Sequence, residues 1–559
     1  MKPFTALLSM AALMCGIGCR RQEAGEKTSP PVEGDLLASY HFVGTAALAN
    51  QPNGARLREI WRMPETRRLA EQTLQKLAHA PRTLFGERVS AVQDERGAAL
   101  LRPMLDDLLR GESYLQVRGP ANRTAEWTLL VQLPADRLKL WRASLTELMQ
   151  LWMLGAPATN AVEGFAGWEV KRSDAPALVR CLEAGPWLVL GIGQNNLPAV
   201  AEAARRIKAG GRPVSPASNY WLQTELNLPR LGPALELPSA VNWPHARLTV
   251  IGQGENLRSN MLLGFSEPLT GSLDPWQVPT NLINEPLVSF TAARGISPWL
   301  KNCAALQKLE LTPEPNELYL WAQGRQPIDR DLPYQTFVTF PLKDAAGKLE
   351  RAGALAPSVF STNWQSRGLA QVGWETNSHQ LLWRGLPFIT PFLAPAKFKG
   401  AEFVAGGLFV PSPSTNPVPA ELLSQMGQQA KLVYYDWEIT EARLHHWRMM
   451  AQLFAIIASK SQFTTNNAAL PWLLAIEPKL GNTVTEITAD SPTEWSLVRK
   501  ANIGFTGFEL VALARWLEST NFPALSFELP PERPLPTASK PPSFPANGPA
   551  APAKKPPGG

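Results

Sequence analysis

An internal repeat is the sequence feature that most constrains how this chain folds. The segment EWTLLVQLPADRLKLWRA, which begins at Glu126, and the segment YQTFVTFPLKDAAGKLERA, which begins at Tyr334, share an alternating apolar run, a proline, an aspartate and the ending Lys-Leu-x-Arg-Ala. Shorter matches keep the same order along the chain, such as SYLQVRG with ELYLWAQG and ELNLPRL with EITEARL. Self-similarity at a nearly constant spacing predicts two copies of one structural unit.

The same alignment predicts which residues take equivalent positions in the two copies. The predicted pairs are Pro134 with Pro341, Trp168 with Trp374, and Glu225 with Glu438. Two copies in one chain commonly pack about a pseudo-twofold axis, and ligand sites often form where modules meet. The junction between the copies is therefore the first place where we expect a ligand.

Each copy is predicted to contain strands joined by hairpins and separate amphipathic helices. Alternating apolar residues predict strands, and apolar residues three or four positions apart predict helices. In the first copy, Asp136 is expected to cap a helix whose buried side includes Leu138 and Trp141. The second copy is predicted to have an additional helix over residues 441–459.

These elements predict the α+β class and divide the chain into five segments. Hairpin-connected strands with segregated helices favour largely antiparallel sheets. The predicted segments are a signal peptide at residues 1–18, a flexible tether at 19–34, two tandem related α+β modules at 35–275 and 276–522, and a disordered proline-rich tail at 523–559. The tail is expected to be disordered because it buries too little apolar surface to offset the entropy of ordering.

The first residues have the pattern of an export signal. Lys2 supplies a positive charge, and the apolar run from Phe4 to Ile17 is too short to span a bilayer as a stable helix. Small residues precede Cys19, which makes it the expected first residue of the mature chain. The segment resembles the lipobox of bacterial lipoproteins, although Gly16 stands where leucine is usual.

This resemblance implies that Cys19 is the lipid-attachment residue, with acyl chains on its sulfur and on its new amino group. Two or three acyl chains hold a protein durably to a membrane, whereas one chain binds only marginally. Arg20 follows the cysteine, where many inner-membrane lipoproteins have aspartate, so the resemblance favours the outer membrane or its periplasmic face. The alternative is an ordinary secretory signal and a secreted protein with an incidental cysteine.

Composition and charge limit the partners of the chain. A hydrophobic content of 45% argues that most of the chain folds. The net charge of +6 comes from scattered residues rather than from a basic stripe, so no nucleic-acid partner is expected. This charge supports weak attraction to anionic lipid or to a cell-wall polymer. Cys181 and Cys303 are left either to pair or to remain free thiols.

Asp436 and Glu438, in the segment YYDWEIT, are the pair of residues that most suggests catalysis. They alternate onto one face of a predicted strand. The sequence Asp-Trp-Glu resembles the end of the catalytic strand motif of chitinase-type glycosidases. That resemblance implies that Glu438 protonates the leaving oxygen and that Asp436 positions the substrate amide. The earlier acidic positions of the motif are Tyr434 and Lys431 in this chain, and the eight alternating βα units are missing.

Other candidate residues favour structural interpretations. Gly191 and Gly193 lie at a predicted strand-to-helix turn, but the third glycine of a dinucleotide fingerprint is absent, so a plain turn is expected. His445 and His446 are neighbours on a predicted helix, where side chains point about 100° apart and do not readily share a metal. We therefore expect no cofactor and no metal.

The sequence thus predicts an exported, lipid-anchored cell-envelope protein with a non-catalytic binding or structural role. Its expected partners are the membrane, through the anchor, and an envelope protein or cell-wall polymer. The alternative is a glycan-acting hydrolase that uses Asp436 and Glu438. The residues shared by the two copies are mainly apolar residues, prolines and glycines, which determine folding rather than chemistry and therefore favour the non-catalytic role.

Overall fold

The computed structural model describes most of the chain between Leu36 and Pro523. The described residues are 36–81, 90–119, 125–152, 154–171, 178–194, 196–213, 220–232, 237, 241–269, 271–301, 303–324, 335–359, 371–386, 389–408, 417–457, 467–519 and 522–523. The predicted signal peptide, Cys19, the tether and nearly all of the tail lie outside them, so those predictions stay predictions.

The described residues contain twenty β-strands. In chain order these are β1 Leu36–Phe42, β2 Ser113–Arg118, β3 Glu126–Gln132, β4 Ala158–Val162, β5 Phe165–Lys171, β6 Leu178–Ala184, β7 Trp187–Gly193, β8 Leu222–Asn227, β9 His245–Gln253, β10 Asn256–Gly264, β11 Leu287–Arg294, β12 Glu317–Gln323, β13 Gln335–Pro341, β14 Gln371–Glu375, β15 Gln380–Arg384, β16 Phe392–Phe398, β17 Ala401–Gly407, β18 Leu432–Ile439, β19 Asn482–Ala489 and β20 Glu494–Ala501.

The same part of the chain contains fourteen α-helices and a short 3₁₀ helix, Glu477–Lys479. The α-helices are α1 Thr45–Leu48, α2 Ala55–Arg62, α3 Pro64–Ala78, α4 Ala91–Arg110, α5 Ala135–Leu151, α6 Pro198–Gly210, α7 Leu228–Leu231, α8 Ser297–Leu300, α9 Ala304–Lys308, α10 Ala345–Val359, α11 Ala420–Gly427, α12 Thr440–Ile457, α13 Ala469–Ile476 and α14 Gly507–Glu518.

All twenty strands join one sheet, and every neighbouring pair is antiparallel. The order across the sheet is β4-β5-β6-β7-β3-β2-β1-β8-β9-β10-β20-β19-β18-β11-β12-β13-β17-β16-β15-β14. The chain is therefore an α+β protein with a single large antiparallel sheet. Such a sheet differs from the parallel barrel of alternating βα units that chitinase-type glycosidases use.

The first ten strands and the last ten follow one pairing scheme. Adding ten to each strand number turns the order of the first half, read from β4 to β10, into the order of the second half, read from β14 to β20. Strands β1 and β11 also carry the same irregularity, a register shift after Leu36 against β2 and after Leu287 against β12. The two halves meet where β10 pairs with β20.

Helices cover both faces of the sheet in each half. Val131 packs in the apolar cluster of α5, whereas its neighbour Leu130 packs in the cluster of α6. Phe340 packs against the cluster of α10, whereas Phe337, three residues earlier, belongs to the cluster of α11. Residues an odd number of positions apart on a strand point to opposite faces. Helices α5 and α6 therefore lie on opposite faces, as do α10 and α11.

One helical core is shared between the two halves. Ile60 of α2 and Leu69 of α3 pack with Leu444 of α12, Leu473 of α13 and Leu510 of α14. Burying an aliphatic side chain of this size contributes about 1.5–3 kcal/mol. Helix packing therefore stabilises the junction together with the pairing of β10 and β20.

The predicted start of helix α5 is wrong, although its buried face is confirmed. The helix begins directly after Pro134, which provides no side-chain cap, and Asp136 lies inside the first turn. Because Pro134 already holds the extended position that precedes the helix, Asp136 interacts with the positive end of the helix dipole instead of capping it. Leu138 and Trp141 are buried as predicted.

Two of the predicted equivalent pairs do not correspond in the pairing scheme. Pro134 follows β3, whereas Pro341 is the last residue of β13 and pairs with Phe403. Trp168 lies on β5, one strand in from an edge of the sheet, whereas Trp374 lies on β14, which forms the opposite edge. Short apolar matches identify similar segments but leave their register in the sheet undetermined.

Candidate functional site

Strand β18 brings the two candidate acids to one face of the sheet. Asp436 and Glu438 lie two residues apart on this strand, so their side chains point the same way. Tyr435 and Trp437 alternate with them and pack in the apolar core beneath α11. The face that carries the acids is covered by α12 and α14.

Asp436 is buried between two threonine side chains of the neighbouring strands. Its exposed fraction is 8%, and the Thr291 hydroxyl donates a hydrogen bond to Asp436 Oδ1 at 2.6 Å. Thr485 stands opposite it on β19. Burial raises the pKa of Asp436, and the Thr291 hydrogen bond and the positive charge of Arg499 offset part of that increase.

Glu438 joins the sheet to the first residue of α14. Its exposed fraction is 4%, and Glu438 Oε1 accepts a hydrogen bond from the backbone N–H of Gly507 at 2.8 Å. A carboxylate is favourable at a helix N-terminus because the backbone N–H groups there carry partial positive charge. Burial nevertheless raises the pKa of Glu438 to about 7, and the charge of Asp436 adds to the increase.

Gly507 allows α14 to cross α12 at very short range. A Cβ atom on Gly507 would lie 2.5 Å from the backbone nitrogen of Leu444 and 2.8 Å from the carbonyl carbon of Arg443. Both are backbone atoms of the first turns of α12, so neither has a flexible side chain that moves aside. Only glycine fits this crossing without displacing one of the helices.

Arg443 of α12 supplies a buried positive charge near the acids. Its exposed fraction is 8%, and its guanidinium carbon lies 4.8 Å from the centroid of the Trp447 ring. Among the described residues, no hydrogen-bond partner lies within reach of its Nε or Nη1 atoms. Burial lowers the pKa of Arg443, whereas the charges of Glu438 and Asp436 raise it.

Arg499 and Glu509 form a largely buried ion pair beside the acids. Arg499 Nη1 lies 2.7 Å from Glu509 Oε2, and Arg499 Nε donates to the Thr485 hydroxyl at 2.9 Å. Glu509 also accepts the backbone N–H of Thr506 at 2.9 Å, which completes a capping box at the start of α14. We call Asp436, Glu438, Arg443, Arg499 and Glu509 the buried charge cluster.

Glu225, the predicted equivalent of Glu438, lies on the opposite face. When β1 and β11 are aligned on their register shifts, Leu226 rather than Glu225 takes the place of Glu438. A one-residue slip reverses the face of every side chain on a strand. Glu225 accordingly faces away from the helical core, where Glu225 Oε1 lies 3.0 Å from His245 Nε2.

The glycines and cysteines singled out in the sequence are placed in packed surroundings. The predicted turn at Gly191 and Gly193 is wrong, because both are residues of β7. A Cβ on Gly191 would lie 2.3 Å from a Val200 methyl carbon of α6. Gly191 thus permits close packing of α6 on the strand. Cys181 and Cys303 are free thiols, and burial raises the pKa of Cys181 to about 12, which makes it unreactive.

The neighbouring histidines of α12 make separate contacts. His445 Nδ1 lies 3.3 Å from a Glu477 carboxylate oxygen, whereas His446 Nε2 lies 3.3 Å from the Thr336 hydroxyl. Burial lowers the pKa of His446 to about 3, so its ring is neutral near pH 7. Within the described ranges, no group of three or more His, Cys, Asp or Glu side chains is placed to hold a metal ion.

Three residues of this region were missed by sequence reasoning, namely Arg443, Arg499 and Gly507. Leu497, Arg499 and Ala501 lie two residues apart on β20, so their side chains share the inward face of the strand. A charged residue on an inward face indicates a buried ionic contact. The sequence TGFE, which includes Gly507, has the Thr-x-x-Glu signature of a capping box. Arg443 has no comparable local signal.

Comparison with protein-family models, with curated proteins and with solved structures finds no match to this chain. In the described part of the chain, none of the helices is both long enough and apolar enough to cross a membrane.

Proposed function

We propose that this chain is an exported, lipid-anchored cell-envelope protein, built from two related α+β modules, that binds an anionic wall polymer without catalysis. The observation that carries the proposal is an open strand face at the junction of the two halves, on which the positive side chains of Arg258 and Lys500 stand directly opposite each other. The anchor is proposed from the lipobox-like segment that ends at Cys19.

The repeated pairing scheme supports a duplication of one ancestral module. Both halves also contain the same local contact at the start of a strand. The Tyr114 hydroxyl donates to Glu112 Oε1 at 2.7 Å, and the Tyr319 hydroxyl donates to Glu317 Oε2 at 2.6 Å. These pairs occupy corresponding places on β2 and β12, which the sequence match of SYLQVRG with ELYLWAQG had aligned.

The proposed duplication places a pseudo-twofold axis at the centre of the sheet. The two halves are aligned on the register shifts of β1 and β11, and the strand pairs are then matched one after another up to β10 and β20. This alignment makes Asn260 and Val498 equivalent, and these two residues also pair with each other. Helices α6 and α11 cover the same face as Asn260 and Val498, but they lie further out in each half. The central strands between these helices are open, and Leu262 is 54% exposed there.

Arg258 and Lys500 give this open face its positive charge. They stand directly opposite each other on β10 and β20, on the same face as Asn260. Like charges in this position destabilise a sheet by some tenths of a kcal/mol, and no ion pair with either residue occurs among the described residues. A ligand that carries phosphate or carboxylate groups would supply the missing negative charge.

Burial of the two candidate catalytic acids favours binding over hydrolysis. Asp436 and Glu438 are both more than nine-tenths buried. Glu438 is engaged by the backbone of Gly507, and Asp436 is engaged by Thr291. A general acid must lie within hydrogen-bond reach of the glycosidic oxygen, whereas the described helices α12 and α14 cover the face that carries both carboxyl groups. Hydrolysis of a glycan by Asp436 and Glu438 is the alternative function.

The full-length protein is expected to co-sediment with purified peptidoglycan sacculi, whose stem peptides carry carboxylates. The double variant R258E/K500E should bind about tenfold more weakly, which corresponds to about 1.4 kcal/mol. The control K397E/K399E makes the same change in net charge on β16 and the turn after it, far from the junction, and should bind as the wild type does. Equal loss in both double variants would contradict the proposed site. Soluble glycan fragments whose release E438Q abolishes would establish the hydrolase instead.

Replacing Cys19 by alanine is expected to abolish membrane attachment. The wild type should incorporate a fatty-acid analogue and partition with membranes, because several acyl chains anchor a protein durably. C19A should remain unlabelled and accumulate as precursor, whereas the control C15A should be labelled normally. Labelling is read by gel fluorescence and the mature N-terminus by mass spectrometry. A soluble, unlabelled wild type that begins at another residue would contradict the anchor without affecting the proposed binding site.

A further inference from the structure

The buried charge cluster contains more negative than positive groups. Among the described residues, the titratable groups in or beside the cluster are Tyr434, Asp436 and Glu438 on β18, Arg499 on β20, Arg443 and His446 on α12, and Glu509 on α14. Tyr434 is neutral because burial raises its pKa, and His446 is neutral because burial lowers its pKa. Three carboxyl groups and two guanidinium groups therefore carry the charge.

The two arginines do not balance the cluster when all three carboxyl groups are ionised. Arg499 is engaged by Glu509 at 2.7 Å, which leaves Arg443 to face both Asp436 and Glu438. One buried negative charge is then without a counter-charge among the described residues, and an uncompensated buried charge is strongly unfavourable. A single proton on either acid would remove the imbalance.

We propose that the folded protein holds one proton shared between Asp436 and Glu438, and that loss of this proton in alkaline solution releases α14 from the sheet. In the release step, a carboxyl O–H bond breaks and the proton passes to water or hydroxide. The two carboxylates, two residues apart on one strand face, then repel each other, with Arg443 near both of them and Arg499 near Asp436 but already paired with Glu509. The proposal concerns a conformational switch and does not depend on the proposed ligand.

Helix α14 is the element that this repulsion should loosen. Its first residue, Gly507, donates its backbone N–H to Glu438, and Glu509 on its first turn is held by Arg499. The folded state holds the proton of Glu438 more tightly than the unfolded chain does, because burial raises the pKa from 4.5 to about 7. The stabilisation contributed by the Glu438 proton is therefore fully present below about pH 4.5 and is lost as the pH rises through about 7.

Hydrogen exchange of the α14 amides in the full-length protein tests this proposal. After correction for intrinsic exchange, protection of α14 should fall about tenfold between pH 6 and pH 8.5 in the wild type, because the Glu438 proton is lost over this interval. E438Q and D436N each leave one ionised acid beside Arg443, so their protection should change less than threefold. The control E494Q, at the exposed start of β20, should behave as the wild type does.

The double variant D436N/E438Q separates charge balance from simple packing. It removes both acids and leaves Arg443 as the uncompensated charge, so α14 should be less protected than in either single variant at both pH values. Infrared spectra of the wild type should show a protonated carboxyl band at pH 6 that E438Q or D436N removes. Equal protection of wild-type α14 at pH 6 and pH 8.5, or an unchanged pH response in both single variants, would overturn the proposal.

Discussion

Replacing Gly507 by alanine is expected to lower the free energy of unfolding by about 3 kcal/mol or more. The new Cβ would lie 2.5 Å from the backbone nitrogen of Leu444, so α14 and α12 must move apart. Overpacking typically costs about 1–3 kcal/mol, and here the displaced atoms are backbone, which yields least. The shift should also lengthen the hydrogen bond from the Gly507 N–H to Glu438. Urea unfolding followed by tryptophan fluorescence measures the loss.

Gly427 provides the matched control for this substitution. It is the last residue of α11, and a Cβ there would meet no atom within 4 Å. Alanine is a better helix former than glycine by about 1 kcal/mol in a helix interior and by less at an end. G427A should therefore leave the unfolding midpoint unchanged or raise it slightly. Equal effects of G507A and G427A would show that the crossing of α12 and α14 is looser than the structure indicates.

Replacing Arg499 by methionine is expected to cost about 3–5 kcal/mol, because it leaves Glu509 without its partner. The substitution also removes the bond to the Thr485 hydroxyl and makes the buried charge cluster more negative. Loss of the arginine that lowers the pKa of Asp436 should raise the pKa of that acid further, so the destabilisation of R499M should grow as the pH rises from 6 to 8.5. Urea unfolding at the two pH values checks both effects.

Two further variants show whether this loss comes from a buried charge. Arg384 and Glu375 form an ion pair on the β14–β15 hairpin whose side chains are 62% and 37% exposed. R384M should cost at most about 1 kcal/mol, because water screens that pair. Adding E509Q to R499M should recover part of the loss, since no uncompensated Glu509 carboxylate then remains. Equal effects of R384M and R499M, or no recovery in the double variant, would contradict the proposed role of the cluster.

Local sequence patterns were sufficient to predict many of the individual elements. The apolar spacing of Leu138 and Trp141 predicted the buried face of α5, and the alternation around Asp436 and Glu438 predicted that both acids share one face of β18. Predictions of this kind succeed because the period of a helix or a strand fixes which side chains lie together. The α+β class follows from the same periodicities.

The sequence did not determine the register of the strands. Trp168 and Trp374 match as segments but lie on strands with different places in the sheet, and Glu225 is displaced by one residue from the place of Glu438. Two strands can have similar apolar alternation even when their registers differ, so a sequence match does not fix the register. The hydrogen bonds of the whole sheet allow only one register. The single twenty-stranded sheet likewise depends on the pairing of β10 with β20, which no local pattern encodes.

The sequence by itself determined many of the secondary-structure elements and the α+β class. Only the tertiary structure decided that Asp436 and Glu438 are buried beneath α12 and α14 and that Arg443 and Arg499 share their surroundings. Periodicity acts between residues that are close along the chain, whereas burial and charge balance depend on distances through space. The five residues of the buried charge cluster come from two strands and two helices, so their interaction arises only when the sheet and the helices pack together.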